Sequence, residues 1–295
     1  MKKILYVLLF IALGIYLPDF CHKQTKGFSV SKITKAFPLK TEQKSSLRLE
    51  NQEEISLALD QPFYYLRKGR SAYVFISLDQ QYILKFLRNP NISPPFWAEL
   101  KPMRWLLPSY CNNLIKKKET NRNLLLASYN LADKNLKKQT GILYSHLNTT
   151  SLLKKKITFY DNIKVKHLAS ADSTAFVLQK KASPFCPYFK NLLNEKKTEE
   201  IEHLLIKFAL LLQERAINGI SDKDLSPHYN LGILNDQFLT FDLDGLRTAP
   251  VPANSESMQK HMVKDGMKMI LWLEAIHSDL SIFLEQEIYK LSLFS

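Results

Sequence analysis

The segment GISDKDLSPHYNLGILNDQFLTFDLDGLR, residues 219–247, decides how the rest of the chain is interpreted. Its apolar runs at 231–234 and 238–241 are separated by a polar break, which predicts a β-hairpin. Oxygen-bearing side chains flank the two strands: Asp224, Asn230 and Asp242. Such oxygens are the ligands of hard cations such as Mg²⁺, usually alongside substrate phosphates. A surface hairpin with turn-forming Asp and Asn is the alternative for this segment alone.

Composition limits the possible classes of protein. A chain of 295 residues that is 45% hydrophobic can form one large or two small domains. Its net charge of +13 suits nucleic acid, an anionic membrane surface or phosphorylated ligands. The lysine clusters are short and scattered, without an Arg/aromatic platform or zinc-ligand spacing, so we expect no specific nucleic-acid partner. The three cysteines are far apart and predict neither a disulfide framework nor a metal site.

Residues 1–20 predict a signal anchor or transmembrane helix. Two lysines precede a short apolar run at 4–17, and no small-x-small cleavage site follows it. The run is shorter than the roughly 20 residues of a typical span, and a buried N-terminal helix is the alternative. More lysines follow the run than precede it, which favours a soluble domain in the cytoplasm. Residues 21–59 are polar and predict a linker.

Residues 60–182 predict a first lobe rich in β-structure. Runs near 63–66, 72–77 and 81–87 predict a three-stranded meander. Lys85 would share one face of the third strand with apolar residues, although an edge lysine that reaches solvent is the alternative. The proline-rich stretch Pro90–Pro108 is expected to be irregular, and Leu114–Asn148 a long helix. Further strands follow before a proline-punctuated crossing near residues 180–187.

Residues 183–295 predict a second, mostly helical lobe. A helix is expected at 198–218, where Gly219 would end it. The hairpin follows directly, and helices are expected again over 258–293, with their Met and Trp residues in the core.

The order of these elements resembles the protein-kinase-like fold. It consists of a β-meander with one inward lysine, a long helix, the crossing, and the Asp-loop-Asn hairpin with its second Asp. The likeness covers about residues 60–285 and is strongest to atypical bacterial branches, such as lipopolysaccharide-core and aminoglycoside-type small-molecule kinases. It implies an α+β, two-lobed protein-kinase-like architecture: a small antiparallel β-sheet lobe and a mostly helical lobe, following the N-terminal membrane anchor. The sequence departs from the family in a catalytic loop one residue longer and in a glycine-poor phosphate loop.

The resemblance also implies roles for individual residues. Lys85 would hold nucleotide phosphates and pair with a carboxylate, either Glu119 or, as the alternative, Glu99. Gly69 would belong to the phosphate loop, and the backbone near Lys181 would receive the adenine. The residues that would hold Mg²⁺ are Asn230, Asp242 and Asp244. The catalytic base would be Asp224 or Asp222, because Asp222 stands where the family has His or Tyr. The implied cofactors are ATP and Mg²⁺.

The expected function is that of a membrane-tethered, ATP- and Mg²⁺-dependent kinase-like phosphotransferase. Its substrate would be a hydroxyl of a small molecule, lipid or glycan. The alternative is a pseudokinase of the same fold that serves as a membrane-associated binding or scaffold protein. A basic membrane-associated module for anionic partners is the third possibility, and it needs none of the residues Lys85, Asp224, Asn230 and Asp242.

Overall fold

The structure, a computed structural model, describes residues 14, 16–37 and 52–293. They form two units with a mixed α+β composition. Unit 1 comprises the described residues up to 122 together with 143–179, and unit 2 comprises 123–142 together with those from 180 onward. The first unit is built on an antiparallel-rich sheet and the second is mainly helical. This is the α+β composition expected of a two-lobed kinase-like chain.

Unit 1 contains a seven-stranded sheet. Its strands in chain order are β1 Phe63–Lys68, β2 Ala72–Ser77, β3 Tyr82–Leu87, β4 Ile142–His146, β5 Lys156–Tyr160, β6 Lys166–Ser170 and β7 Phe176–Lys180. Their spatial order is β4-β7-β3-β2-β1-β5-β6. The predicted meander is confirmed, because β2 pairs antiparallel with both β1 and β3. Strand β1 also pairs with β5 in parallel, a long-range pairing that the local sequence did not predict.

The helices preceding β4 are α1 at 16–24, α2 Gln52–Asp60, α3 Asn89–Ile92, α4 Phe96–Glu99, α5 Lys101–Leu106 and α6 Pro108–Asn135. The expectation that residues 90–108 are irregular is therefore wrong. Proline fits the first helical turn, where its missing N–H is no loss, and Pro102 occupies such a position in α5. Prolines here start short helices.

The predicted helix Leu114–Asn148 is correct only in its first part. After α6, the short helix α7 Lys137–Thr140 ends at Gly141, whose φ of 63° is left-handed. The next residues form strand β4. The apolar residues Ile142, Leu143 and Leu147 fit a helical period, so periodicity alone extended the helix too far. The left-handed glycine is the signal that ends it.

Residues 28–37, which belong to the predicted linker 21–59, lie against the sheet of unit 1. The Thr34 amide donates to the Leu87 carbonyl at 2.8 Å, and the Ala175 amide donates to the Thr34 carbonyl at 3.0 Å. Phe28 is buried among the rings of Tyr73 and Phe75. Most of the predicted anchor at 1–20 lies outside the described residues. Among those that are described, no helix combines the length and apolar character needed to cross a bilayer.

Unit 2 surrounds the predicted hairpin with helices. Besides α7 and residues 123–135 of α6, its elements are β8 Ser183–Pro184, α8 Phe185–Asn194, α9 Thr198–Ile217, β9 Ile220–Asp222, β10 Leu231–Leu234, β11 Gln237–Thr240, β12 Leu246–Thr248, α10 Ser255–Ile276 and α11 Ser278–Leu293. Strands β10 and β11 form the hairpin, and β8 joins it along β10. Both turn residues, Asn235 and Asp236, have positive φ, as the tight turn of a two-residue hairpin requires.

Candidate functional site

The hairpin places Asn230 and Asp242 at the same end of its two strands. Leu231 pairs with Thr240, and one step further the Phe241 amide donates to the Asn230 carbonyl at 2.7 Å. Asp242 follows Phe241 directly and is partly buried. The sequence therefore predicted this juxtaposition from local hairpin register alone.

The side-chain amide of Asn230 is oriented by the loop before it. Its Nδ2 donates to the Asp224 carbonyl at 2.6 Å, so its Oδ1 is left on the opposite side of the amide group. Asp242 uses Oδ1 to accept the Asp244 amide at 3.2 Å. One amide oxygen and the Oδ2 of one carboxylate thus remain at the mouth of the hairpin. These hard oxygen donors suit Mg²⁺, which takes one or two carboxylates plus phosphate oxygens.

A backbone hydrogen bond closes the loop just before strand β10. The Asn230 amide donates to the Ser226 carbonyl at 2.9 Å, which closes a turn that contains His228 and Tyr229. Both of these side chains are exposed, whereas Asn230 and Leu225 are buried. The loop therefore has exposed residues at 228–229 between the buried Leu225 and Asn230.

Asp224 and Asp222, the two candidate bases, lie in opposite environments. Asp224 is partly exposed, and one of its oxygens, Oδ1, contacts the Nζ of Lys268 from α10. Asp222 is 1% exposed, and both of its oxygens accept hydrogen bonds. Its Oδ1 accepts the Asp224 amide at 3.0 Å, and its Oδ2 accepts from Arg215 at 3.1 Å. Of these two candidate bases, only Asp224 presents a carboxylate oxygen to solvent.

Arg215 is fully buried and connects three parts of unit 2. Its guanidinium donates to Asp222, to Gln139 Oε1 at 2.8 Å and to Thr240 Oγ1 at 2.6 Å. Burial raises the pKa of Asp222, and the guanidinium opposes that shift. Arg215 was not predicted from the sequence, because an arginine near the end of a helix is normally a solvated residue. The available signal for its burial was its position four residues before Gly219, where the chain turns from the helix into the candidate loop.

Asp265 of α10 holds the strand that leads into the loop. It accepts the Ser221 hydroxyl and the Asp222 backbone amide, each at 2.7 Å. His261, one helical turn earlier, has its Nε2 at 3.1 Å from the Ile220 carbonyl. Asp265 was not predicted from the sequence either. The available signal was a carboxylate flanked by the methionine-rich apolar positions of the helix.

Gly245, the glycine of the Asp-Leu-Asp-Gly turn, lies directly against Asp222. A Cβ at this position would stand 2.3 Å from Asp222 Oδ1, far inside van der Waals contact. The neighbouring Asp244 is 8% exposed, and its carbonyl accepts from Arg247 at 2.8 Å. The turn therefore packs on the buried Asp222–Arg215 pair, which explains its glycine through close approach.

The segment around Lys181 is extended and paired on both sides. The Lys180 amide donates to the Gly141 carbonyl at 2.8 Å, and Ser183 pairs with Ile233 of β10. Gly232 faces Phe241, whose ring would meet a Cβ there at 2.3 Å. Lys181 lies between these two pairings and is partly buried, so the segment is a short, firmly held backbone stretch.

The remaining predicted residues belong to unit 1. Lys85 sits on β3 opposite Val74 and is 8% exposed, so it is a buried lysine within a sheet. Gly69 lies in the tight β1–β2 turn, where its amide donates to the Ala72 carbonyl at 2.8 Å and its own carbonyl accepts from Arg88. Glu119 and Glu99, the two candidate partners of Lys85, are both exposed on helices.

Groups of three or more His, Cys, Asp or Glu arranged to hold a metal are absent from the described residues. The three predicted magnesium ligands include only two such residues, Asp242 and Asp244, because the third, Asn230, would supply an amide oxygen.

Comparison with known proteins finds similarity only among solved structures. No protein-family model matches the chain, and no curated protein matches it. The bifunctional kinase-methyltransferase WbdD is 12% identical, with a TM-score of 0.34 over 85% of this chain and 46% of that one. The co-crystal structure of WbdD with the kinase inhibitor LY294002 is 13% identical, with a TM-score of 0.34 over 77% of this chain and 45% of that one. The Rv3197–erythromycin complex from Mycobacterium tuberculosis is 13% identical, with a TM-score of 0.36 over 78% of this chain and 55% of that one.

The chain thus spans about half the length of the structures it matches. Similarities of this size carry no argument about activity or substrate, which depend on the residues of this chain.

Proposed function

We propose that the chain is a kinase-like phosphotransferase that uses Mg²⁺ and ATP to phosphorylate a hydroxyl of a small molecule, lipid or glycan. We also propose that residues 1–20 tether it to a membrane, with the remainder in the cytoplasm. The supporting observation is the hairpin of unit 2, which orients the Asn230 amide oxygen and sets Asp242 beside it. A hairpin that served only as a surface turn would need neither arrangement.

Asp224 is the proposed base, and Asp222 is a positioning residue. The hydroxyl oxygen of the acceptor attacks the γ-phosphorus of ATP, and ADP leaves. The Asp224 carboxylate accepts the proton that this hydroxyl loses. Lys268 occupies Oδ1 of Asp224, which leaves Oδ2 to receive the proton. Asp222 holds the Asp224 backbone amide and is itself fixed by Arg215, so the base is attached to a buried, rigid network.

The proposed nucleotide and metal contacts follow the roles implied by the kinase-like resemblance. A buried lysine such as Lys85 supplies a charge for phosphate oxygens, and the extended backbone near Lys181 supplies main-chain groups for adenine. Asn230, Asp242 and Asp244 would hold Mg²⁺. The metal, when bound, neutralises the charge that develops on the phosphate oxygens.

One observation favours the pseudokinase alternative. The Gly69 amide, which a phosphate loop would direct at its ligand, already donates to Ala72 within the β1–β2 turn. If the phosphates receive no backbone amides there, nucleotide could bind without turnover, and the chain would act as a membrane-associated binding or scaffold protein.

Thermal-shift titration with ATP, with and without Mg²⁺, tests the proposal. Binding at 100 times Kd stabilises the folded state by about 2.7 kcal/mol. We expect stabilisation of the wild type that requires both ligands, and loss of the Mg²⁺ dependence in Asp242→Asn. The matched control is Asp279→Asn, an exposed acid on α11, which should behave as the wild type. Absence of any nucleotide-dependent shift would refute nucleotide binding.

Turnover separates the kinase from the pseudokinase. ADP release in the presence of a panel of hydroxyl acceptors should fall by about 10²- to 10⁴-fold in Asp224→Asn, with nucleotide binding retained. A nucleotide-stabilised wild type whose ADP release equals that of Asp224→Asn would support the pseudokinase.

A further inference from the structure

Unit 1 carries a large exposed apolar surface on helices α4 and α5 and the start of α6. We call it the aromatic surface, and its residues are Phe96, Leu100, Trp105, Leu106, Leu107 and Tyr110. Trp105 is 85% exposed, Phe96 76% and Leu106 65%. Single exposed apolar side chains are ordinary, but six large ones within 15 residues indicate an interaction site.

The segment that carries this surface is folded. Ala98 and Cys111 are completely buried on its inner side, and the Leu107 amide donates to the Met103 carbonyl at 2.8 Å. The rings of Trp97 and Tyr110 stack with centroids 6.3 Å apart and planes 8° from parallel. The exposed aromatic and leucine side chains are therefore presented outward by a packed scaffold.

Basic residues surround and interrupt the aromatic surface. Lys101 and Arg104 lie within it, and Lys116–Lys118 and Arg122 follow on α6. Against these six positive charges the stretch 93–122 contains only Glu99 and Glu119. The surface thus combines apolar side chains with a net positive charge.

We propose that the aromatic surface inserts into the headgroup region of an anionic lipid bilayer. Trp, Tyr, Phe and Leu beside Lys and Arg are the composition of interfacial helices, whose rings enter the acyl boundary while the cations remain among the headgroups. Anionic lipids attract such cations at short range. This contact differs from the predicted N-terminal anchor in residues and mode, and it would hold unit 1 itself at the membrane plane.

Two other occupants fit the observations less well. A second copy of the chain would bring Lys101 and Arg104 against the same charges of its partner, which opposes self-association. A nucleic acid would satisfy the cations but would leave Phe96, Leu106 and Leu107 without an apolar environment. An anionic bilayer satisfies both components together.

Fluorescence of a single tryptophan tests the proposal in the full chain. In the Trp97→Phe/Trp272→Phe background Trp105 is the reporter, and vesicles of phosphatidylcholine with phosphatidylglycerol and brominated lipid are the probe. We expect a blue shift and quenching that weaken with added salt. Neutralising Lys101 and Arg104 to Gln should lower the partition constant about 25-fold, or about fivefold for each charge. Phe96→Ser with Leu106→Ser should abolish quenching.

Matched controls keep the test local to this surface. Leu57→Ser, at another exposed position of unit 1, and Lys260→Gln, on unit 2, should leave the quenching unchanged. A chain held only by its first 20 residues would leave Trp105 unquenched, and that result overturns the proposal. Equal quenching by vesicles that contain phosphatidylcholine and the brominated lipid but no phosphatidylglycerol would also overturn it. So would a blue shift without lipid that grows with protein concentration, because a second copy would then be the occupant.

Discussion

Replacement of Gly245 by alanine should disrupt the buried network beneath the candidate loop. The new Cβ would stand 2.3 Å from Asp222 Oδ1, so the carboxylate must move by about 1 Å to restore contact. That oxygen accepts the Asp224 amide at 3.0 Å, and the other oxygen is held by Arg215. Losing one charge-assisted hydrogen bond costs roughly 1.5–3 kcal/mol, and opening the buried pair costs more. We expect a loss of about 2–4 kcal/mol in the stability of unit 2.

The measurement is urea unfolding followed at Trp272, which packs against Phe185 and Phe189 within unit 2. Trp97→Phe/Trp105→Phe removes the tryptophans of unit 1, so the signal reports one unit. A double-mutant cycle isolates the cause. With Arg215→Met/Asp222→Ala the obstructing carboxylate and its partner are both gone, and Gly245→Ala should then cost less than about 1 kcal/mol. An equal cost in the two backgrounds would show that Asp222 is not the obstacle.

Three further perturbations probe the two units. Arg215→Met should destabilise unit 2 by about 3–5 kcal/mol by urea unfolding, because Asp222 is left buried without its partner; adding Asp222→Leu should restore most of the loss. Burial lowers the pKa of His146, so its neutral form is favoured in the folded state, and unit 1 should lose stability as the pH falls below about 6.5. Hydrogen exchange of the β4 amides should show this dependence of stability on pH, with a slope of at most about 1.4 kcal/mol per pH unit. His146→Asn should remove the slope, and a slope that persists would show that His146 is not its source. Asn254→Ala removes the capping box of α10 and should cost about 1 kcal/mol in the same urea assay, whereas Asn254→Ser should retain most of the stability.

The elements that the sequence predicted well are those specified by neighbouring residues. The hairpin of β10 and β11 follows from two apolar runs and a turn that tolerates positive φ, and this local register is what sets Asn230 beside Asp242. The meander of β1 to β3 is equally local. Strand β4 was misassigned to a helix because Ile142 and Leu143 satisfy both periodicities, and only the conformation of Gly141 separates them.

The residues that the sequence did not predict depend on contacts between distant segments. Arg215 has the appearance of an ordinary helix residue until Gln139, Asp222 and Thr240 enclose it from three other places in the chain. Asp265 gains its role only when α10 docks beside β9. Residues 28–37 were assigned to a polar linker because their pairing partners, Leu87 and Ala175, lie more than 50 and 130 residues away.

The dependence of β9 on Asp265 has a consequence for the order in which the chain folds. The Asp222 amide cannot reach its acceptor until a residue 43 positions later has been synthesised and has docked. A ribosome-bound chain that ends before α10 would therefore possess the hairpin but lack the support of the strand that leads into it. The hairpin that carries Asn230 and Asp242 and the loop that carries Asp224 would therefore be completed at different times. The loop with Asp224 would be completed last.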